Sequence, residues 1–275
     1  EVKLLTKVDI AVNNAKTSNN HICIYEESKN IEKRYKENIE LATQIKEAIL
    51  GNRIICHYQP LLNIENSEIY SYESLVRLID NKGNSLAPYK FLDFSKKIKL
   101  YSSITKIVVA QACKTFQNRD ENFSINLSVD DIKDLETVDF ILKTIKETNT
   151  SSRVTFEILE SEGIENYQEV ISFINQIKSL GARIAIDDFG TGYSNFEHLL
   201  RLDVDYIKID GSLIKNIVTD DKHRLIVETI VSFAKRIGIK TVAEFVSDEK
   251  ILQTIKEIGI SCAQGYHIGK PETLV

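Results

Sequence analysis

Eight polar side chains stand at or near the ends of short apolar runs: Glu73 in "IYSYESLVRL", Asn126 in "NFSINLS", Glu157 in "RVTFEILES", Asp187 and Asp188 in "RIAIDD", Lys208 in "DYIKID", Glu244 in "KTVAEFV" and Gln264 in "CAQGYHIG". Asn126, Glu157 and Asp187 follow one another at roughly thirty-residue steps, the length of a strand–helix–strand unit. A single acidic residue after a strand is commonplace. Taken alone, Glu157 or Glu160 reads as a helix cap, and Lys208 with Asp210 as a structural ion pair. A whole series of strands ending in a hard oxygen donor or a cation is a different matter.

Carboxylates crowded round one point repel unless cations stand between them. Every donor in the series is oxygen, with no His or Cys, and that set selects Mg²⁺ or Mn²⁺ over zinc. Five carboxylates exceed the need of one divalent ion, and two ions bridged by one carboxylate fit better. Such a pair activates water and stabilises in-line displacement at phosphorus. Lys208 then orients that water or offsets charge on phosphoryl oxygens. A Schiff-base lysine is the competing chemistry, but neighbouring carboxylates raise the lysine pKa and disfavour it.

The elements that must position these residues follow from periodicity. Residues 51–275 alternate short apolar runs with amphipathic stretches such as "YSSITKIVVAQACKTF", "YQEVISFINQIKSLG" and "KHRLIVETIVSFAKRIG", the pattern of βα units. Gly181 and Gly238 supply helix stops, and Ile226, Ile230 and Phe233 mark an apolar seam on the last of these helices. The first two strands, "IICHYQPLLN" and "IYSYESLVRL", are joined by "NIENSE" and read as a hairpin. About eight strands and seven helices predict an α/β fold, a modified (β/α)₈ TIM-like barrel with an irregular start, whose strand ends converge on one face. Adjacent strand residues point to opposite faces, so Asp187 and Asp188 share that site only if the chain turns there. Phe189–Gly190 supplies the turn, and Gly190 and Gly192 permit a mobile loop over the site.

Residues 28–50 predict a separate amphipathic linker helix with Ile31, Tyr35, Ile39, Ala42, Ile45 and Ile49 on one stripe. Residues 1–27 are too few to fold alone, and a chain without methionine reads as an excerpt of a longer protein. The composition, 43% hydrophobic and 27% charged, is that of a soluble globular protein, and the net charge of −5 argues against a nucleic-acid polymer or an anionic membrane as partner. Cys23, Cys56, Cys113 and Cys262 have no metal-like spacing and read as thiols of a reducing, cytoplasmic compartment. His21, His57, His198, His223 and His267 share no strand-end pattern and read as structural or surface residues. No apolar run is long enough to span a membrane, although a membrane anchor elsewhere in the parent protein is compatible with this.

"YESLVRL" (72–78) resembles the signature of EAL-domain cyclic di-GMP phosphodiesterases, with Ser74 in place of the usual Ala. The resemblance continues through "YQP" (58–60), "INLS" (125–128), "FEILES" (156–161), "IDDFGTGYS" (186–194), "DYIKIDGSLI" (205–214), "VAE" (242–244) and "QGYHIGKP" (264–271). It implies the EAL fold, a barrel with an antiparallel first strand over residues 51–275. It also implies hydrolysis of cyclic di-GMP to linear pGpG with two Mg²⁺ or Mn²⁺ ions per active site. Carried over by position, Glu73, Asn126, Glu157 and Asp187 resemble ligands of one metal. Asp187 bridges to a second, held also by Asp188 and Glu244. Lys208, Glu244 and Glu73 form the catalytic set, with Lys208 and Glu244 positioning and deprotonating water. Gln59, Leu75, Arg77, Asp210 and Gln264 resemble substrate-binding residues, and Glu160 an anchor for the "DFGTGYS" loop.

The chain departs from the family pattern after Glu244, where Phe245–Val246–Ser247–Asp248 replaces Gly-Val-Glu-Thr, and at Leu159, where Thr is common. "LLTKVDIAVNNAKTSNNHICIYEE" (4–27) is similar to the tail of a GGDEF domain. That likeness implies an upstream GGDEF-like domain in the same chain, and the family also implies a homodimer formed near the DDFG loop. Two other readings compete: a cyclic di-GMP receptor of EAL type with weak or no catalysis, and a scaffold using the barrel for protein contacts.

Overall fold

The computed structural model describes Val12 and residues 29–160, 167–190 and 196–274. Residues 1–11 and 13–28, on which the GGDEF-like likeness falls, lie outside that description, as do 161–166 and 191–195 with Gly192. Helix α1 (Lys29–Leu50) leads into β1 (Ile54–Asn63), β2 (Glu68–Ile79) and the short β3 (Ser85–Leu86). Then come α2 (Leu92–Lys97), α3 (Tyr101–Phe116), β4 (Asn122–Leu127), α4 (Val129–Lys133), α5 (Leu135–Glu147) and β5 (Val154–Leu159). The remainder is α6 (Tyr167–Ser179), β6 (Arg183–Phe189), α7 (Phe196–Arg201), β7 (Tyr206–Ile209), α8 (Gly211–Ile214), α9 (Asp221–Ile237), β8 (Lys240–Ala243), α10 (Glu249–Ile258) and β9 (Cys262–Gln264).

The sheet order β1-β9-β8-β7-β6-β5-β4-β2-β3 is closed by β1 pairing with β2. Eight strands therefore form a barrel, with β3 an appendage on β2. Strand β1 runs antiparallel to both its neighbours, while the pairs from β2 through β9 are parallel. The expected hairpin and irregular start are both present. Helix α3 is fixed to this unusual strand by Gln111, which accepts from Cys56 N at 3.2 Å and donates to Ile54 O at 2.6 Å.

Strand alternation separates two environments. Outward residues such as Phe123, Ile125, Phe156, Ile158, Ile184 and Ile207 join one apolar layer between sheet and helices. Phe116 of α3 stacks on Phe123 there, centroids 4.6 Å apart. The interior is built in tiers instead. Gln59, Glu73, Asn126, Glu157, Asp187, Lys208, Glu244 and Gln264 share the inward parity. Two positions away, on the floor side, stand Leu61, Ser71, Ser124, Thr155, Ala185, Tyr206, Val242 and Cys262. Ala185, Tyr206, Val242 and Cys262 form a small apolar cluster of their own with Leu61 and Tyr70, and the Tyr70 and Tyr206 hydroxyls meet at 2.8 Å.

Two helical stripes need correction. In α1 the C-terminal half docks, with Ile45 and Ala48 fully buried, whereas Ile39 is 53% exposed. The stripe continues past the end of the surface it packs on, because α1 meets the body of the fold mainly through α2 and β2. In α9 the buried seam is Val227, Ile230, Val231 and Ala234, and Ile226 is exposed. Gly238 ends that helix at φ +79° as expected. Cys56, Cys113 and Cys262 are buried free thiols; burial pushes the Cys56 thiol up to about 12 and that of Cys262 up to about 11.

Because α1 is held by one end, its two halves respond differently to truncation. Ile45→Ala lowers stability by about 2–5 kcal/mol through lost burial and a residual cavity. Ile39→Ala shifts it by less than about 0.5 kcal/mol. Urea midpoints measure both, and equal losses at the two positions would contradict the docking described.

Candidate active site

Closure of the barrel brings the inward upper tier together around one lysine. Lys208 Nζ lies 2.6 Å from Glu157 Oε2, 2.9 Å from Glu244 Oε1, 3.0 Å from Asp187 Oδ1 and 3.5 Å from Glu73 Oε2. All five side chains are nearly out of solvent, Lys208 itself at 4% exposure. Neither simpler reading survives: Lys208 pairs with these four rather than with Asp210, and Glu157 caps no helix.

Amides complete the ring. Asn126 Nδ2 donates to Glu73 Oε1 at 2.7 Å and Gln264 Nε2 to Glu73 Oε2 at 2.6 Å. Gln264 also lies 3.4 Å from Gln59 Oε1, and Gln59 donates to Gly269 O at 3.1 Å. Gln59 opposes Glu73 directly in the antiparallel β1–β2 pair, so the reversed first strand delivers an amide where a parallel strand end is missing.

The adjacent aspartates share one region through a break in β6. Asp188 is left-handed at φ +56°, and the β6–β7 register shifts between Ile186 and Phe189. The turn therefore falls on Asp188 itself, one residue earlier than expected. Phe189 remains in the strand, buried in the outer layer. Gly190 follows at φ +103°, packed so closely that a Cβ would lie 2.5 Å from Leu213 Cδ1. Its N–H donates to Glu160 Oε2 at 3.2 Å, the contact expected of a loop anchor.

One ammonium cannot neutralise four carboxylates, and the proton equilibria record the excess. Burial, above all, pushes Glu157 well up, with Glu73 and Asp187 adding repulsion. Glu244 is pushed up to about 8 by burial and then by Asp187 and Glu73. Asp188 rises to about 6 through burial and the charges of Asp187 and Asp210. Glu73 moves down: burial opposes ionisation there, but Lys208 and the Gln264 and Asn126 amides outweigh it. Burial also works against the charged form of Lys208, yet its four carboxylates hold the ammonium well above the usual lysine range.

The donor set fits divalent cations. Glu73, Glu157 and Asp187 offer oxygens within 4.8 Å of one another, and so do Asp187, Asp188 and Glu244. The two groups share Asp187. All these donors are hard oxygens, the surroundings carry excess negative charge, and Asn126 stands beside Glu73. Such a set suits a hard divalent cation.

Of the remaining expected residues, Arg77 and Asp210 are held by local backbone contacts, and Asp210 also lies beside Asp188. Arg77 is part-buried and donates to Val76 O at 2.8 Å. Asp210 caps α8, accepting from Ser212 N at 2.8 Å. His57 Nδ1 lies 3.3 Å from Pro271 O, His223 contacts Asp220 and His267 contacts Glu249. These histidines are structural, as the spacing implied; His21 and the His198 side chain lie outside the description.

Sequence reasoning passed over two features. Phe245 is left-handed at φ +55°, with Lys215 Nζ 4.1 Å from its ring centroid and Gly211 directly against the ring. Ser71, Ser124 and Thr155 lie beneath Glu73 and Glu157 in the barrel; their signal was position, two residues before Glu73, Asn126 and Glu157 on period-2 strands.

Comparison with known proteins agrees with this geometry. The EAL domain family profile matches residues 42–271. Cyclic di-GMP phosphodiesterase PdeB of Shewanella oneidensis is 35% identical, covering 99% of this chain and 33% of its own length. Probable cyclic di-GMP phosphodiesterase PdeA of Escherichia coli is 31% identical, covering 86% of this chain and 33% of its own. The chain thus spans about a third of the length of these relatives. Among solved structures, the PaMucR phosphodiesterase in complex with c-di-GMP superposes with a TM-score of 0.80 at 27% identity, covering 85% of this chain and 97% of that one. An EAL domain protein from Listeria monocytogenes gives 0.76 at 28% identity, covering 84% and 93%. With the profile spanning most of its length, the chain belongs to the EAL domain family.

Proposed function

We propose that this domain hydrolyses one phosphodiester of cyclic di-GMP to linear 5′-pGpG in bacterial second-messenger signalling. One observation carries the reading: two carboxylate groups sharing Asp187 are gathered round a buried lysine at the converging strand ends. The names of the relatives and the family motifs supply the substrate. Glu73, Asn126, Glu157 and Asp187 would hold one Mg²⁺ or Mn²⁺ ion, and Asp187, Asp188 and Glu244 a second. Bound there, the ions supply Lewis acidity and charge neutralisation at the phosphoryl group.

The chain's own residues then have defined tasks. Lys208 Nζ hydrogen-bonds and orients the attacking water, and Glu244 takes its proton. The water oxygen bonds to phosphorus as the P–O3′ bond breaks, and the departing O3′ takes a proton from solvent while Glu244 returns its own to solvent, leaving a 3′-hydroxyl and a 5′-phosphate. Gln59, Leu75, Arg77, Asp210 and Gln264 contact the substrate, and Glu160 steadies the loop after Gly190. Residues 28–50 act as the linker to an upstream GGDEF-like domain whose remnant is 1–27. A relative named as a bifunctional diguanylate cyclase/cyclic di-GMP phosphodiesterase is 27% identical over 98% of this chain, an example of the two activities in one protein. We place the domain in the cytoplasm, as a homodimer; no helix of the described residues is long and apolar enough to cross a membrane.

Purified protein with cyclic di-GMP and Mg²⁺ or Mn²⁺ yields pGpG, and chelation stops it. Glu73→Ala and Lys208→Ala each lower turnover by at least about a thousandfold, the scale of losing an electrostatic or proton-transfer partner, while the circular dichroism spectrum is retained. Tight binding of cyclic di-GMP without turnover in either metal would replace the enzyme with a receptor.

The crowded charge also costs stability. In chelator at neutral pH, Glu157→Gln raises the melting midpoint, because a carboxylate forced against its neighbours becomes a neutral amide; each kcal/mol gained moves it by roughly 2–4 °C. Added Mn²⁺ raises the wild-type midpoint by mass action and that of the variant by less. Thermal melts read both signs, and a variant less stable than wild type in chelator would reject the view of Glu157 as a strained carboxylate.

A further inference from the structure

The tier beneath the acid cluster is polar on one side only. Neighbouring strands β2, β4 and β5 place Ser71, Ser124 and Thr155 there, where barrels ordinarily stack bulky branched residues. Strand register sets Glu73 beside Ser124 and Ser124 beside Thr155. Small side chains leave space, and a cavity of about 20 Å³ lies between them and the apolar Leu61, Ala185, Tyr206 and Val242, beneath Glu73, Glu157 and Lys208. The three hydroxyl residues and Glu73, Glu157 and Lys208 are all more than nine-tenths buried. No hydrogen bond among the described residues engages the hydroxyl of Ser71, Ser124 or Thr155, and none of the three is a fully enclosed unpartnered atom, so each keeps surface that a water can reach.

We propose that this cavity is a binding site for one ordered water, bonded to Ser124 and Thr155 and supporting the Glu157 carboxylate from below. Size selects the ligand: a water needs about 10–15 Å³ of such space and two to four polar partners, so one fits and a larger molecule does not. The polar partners a water needs stand on one wall and the roof, as three hydroxyls and two carboxylates, while Leu61, Ala185 and Val242 close the opposite wall. Hydroxyls can both donate and accept, so the water can receive from Ser124 or Thr155 and still donate upward to a carboxylate.

Its effect is positional. Glu157 and Glu73 are otherwise held from the side, by Lys208 and the amides of Asn126 and Gln264. A bonded water beneath fixes the height at which their oxygens present themselves to the open face. Ser124 and Thr155 act through that water and are positioning residues. The site is independent of the proposed reaction; only its kinetic consequence rests on that reading.

The test combines crystallography with kinetics. Wild-type crystals that resolve solvent show a single water within hydrogen-bond distance of Ser124 Oγ and Thr155 Oγ1. In Ser124→Val the added methyls fill the cavity and the peak is lost. In turnover, Thr155→Val, which keeps shape and removes the hydroxyl, lowers kcat several-fold with KM unchanged. Thr155→Ser, which restores the hydroxyl, recovers the loss. Should Ser124→Val not fold, Ser124→Ala serves, retaining the water on Thr155 with a weaker peak. No peak in the wild type, or one with the short, many-fold contacts of a metal ion, overturns the proposal whether or not the protein turns over cyclic di-GMP. A Thr155→Val enzyme with wild-type kcat overturns the positioning role.

Discussion

A single buried ammonium holds the working end of this barrel together. Lys208 touches carboxylates from four other strands or strand ends, so those ends share one fixed centre. The arrangement is costly taken alone, because each buried charge loses its hydration and the lysine cannot repay all four. The folded state answers by favouring protons on Glu157, Glu244 and Asp188, and it is poised to exchange that response for divalent ions. The proposed cation binding and the crowding of these carboxylates have the same origin. Charge neutralisation by ions at the two groups sharing Asp187 would relieve that crowding.

Convergence on Lys208 is a consequence of barrel closure, and closure here depends on a reversed strand. Antiparallel β1 bridges β2 and β9 and presents Gln59 opposite Glu73. The amide chain Gln59–Gln264–Glu73 then links the seam of the barrel to the acid cluster. A parallel strand in that place would bring its own C-terminal end to the site. The reversed one brings a mid-strand amide and leaves Glu73 flanked by neutral donors. Burial opposes ionisation of Glu73, but the Lys208 charge and then the Gln264 and Asn126 amides outweigh it, and Gln59 takes part only through its contact with Gln264.

Much of this was legible because a strand has period two. Any residue two positions from an inward residue is also inward, and strands such as "IICHYQPLLN" and "NFSINL" declare their parity through alternating apolar side chains. Glu73, Asn126, Glu157, Asp187, Lys208, Glu244 and Gln264 could be brought to one face on that ground alone. What stayed hidden was set by backbone torsion or by neighbouring surface. Nothing in "IDDFG" says that the left-handed residue is Asp188 rather than one after it. Nothing in "AEFVSD" says that Phe245 adopts φ +55° and lies against Gly211. The α1 stripe was real as a pattern, yet only its C-terminal half has a surface to meet. A hydrophobic period shows which face could be buried; the extent of burial belongs to the rest of the fold.

The same parity rule carries the argument down to the floor tier. A charged layer cannot rest directly on an apolar one without losing every interaction on its lower side, and low polarity beneath it would raise the cost of ionising Glu157 further. On the far side of the barrel the floor is apolar, with Val242, Ala185 and Tyr206 packed together. Under Glu73 and Glu157 it is hydroxylated. The hydroxylated patch therefore sits beneath Glu73 and Glu157, two of the three carboxylates of one candidate metal group, and the apolar patch lies beneath Asp187, Lys208 and Glu244. The polarity of the floor thus varies from strand to strand, and a strand residue is best understood together with the residue two positions beneath.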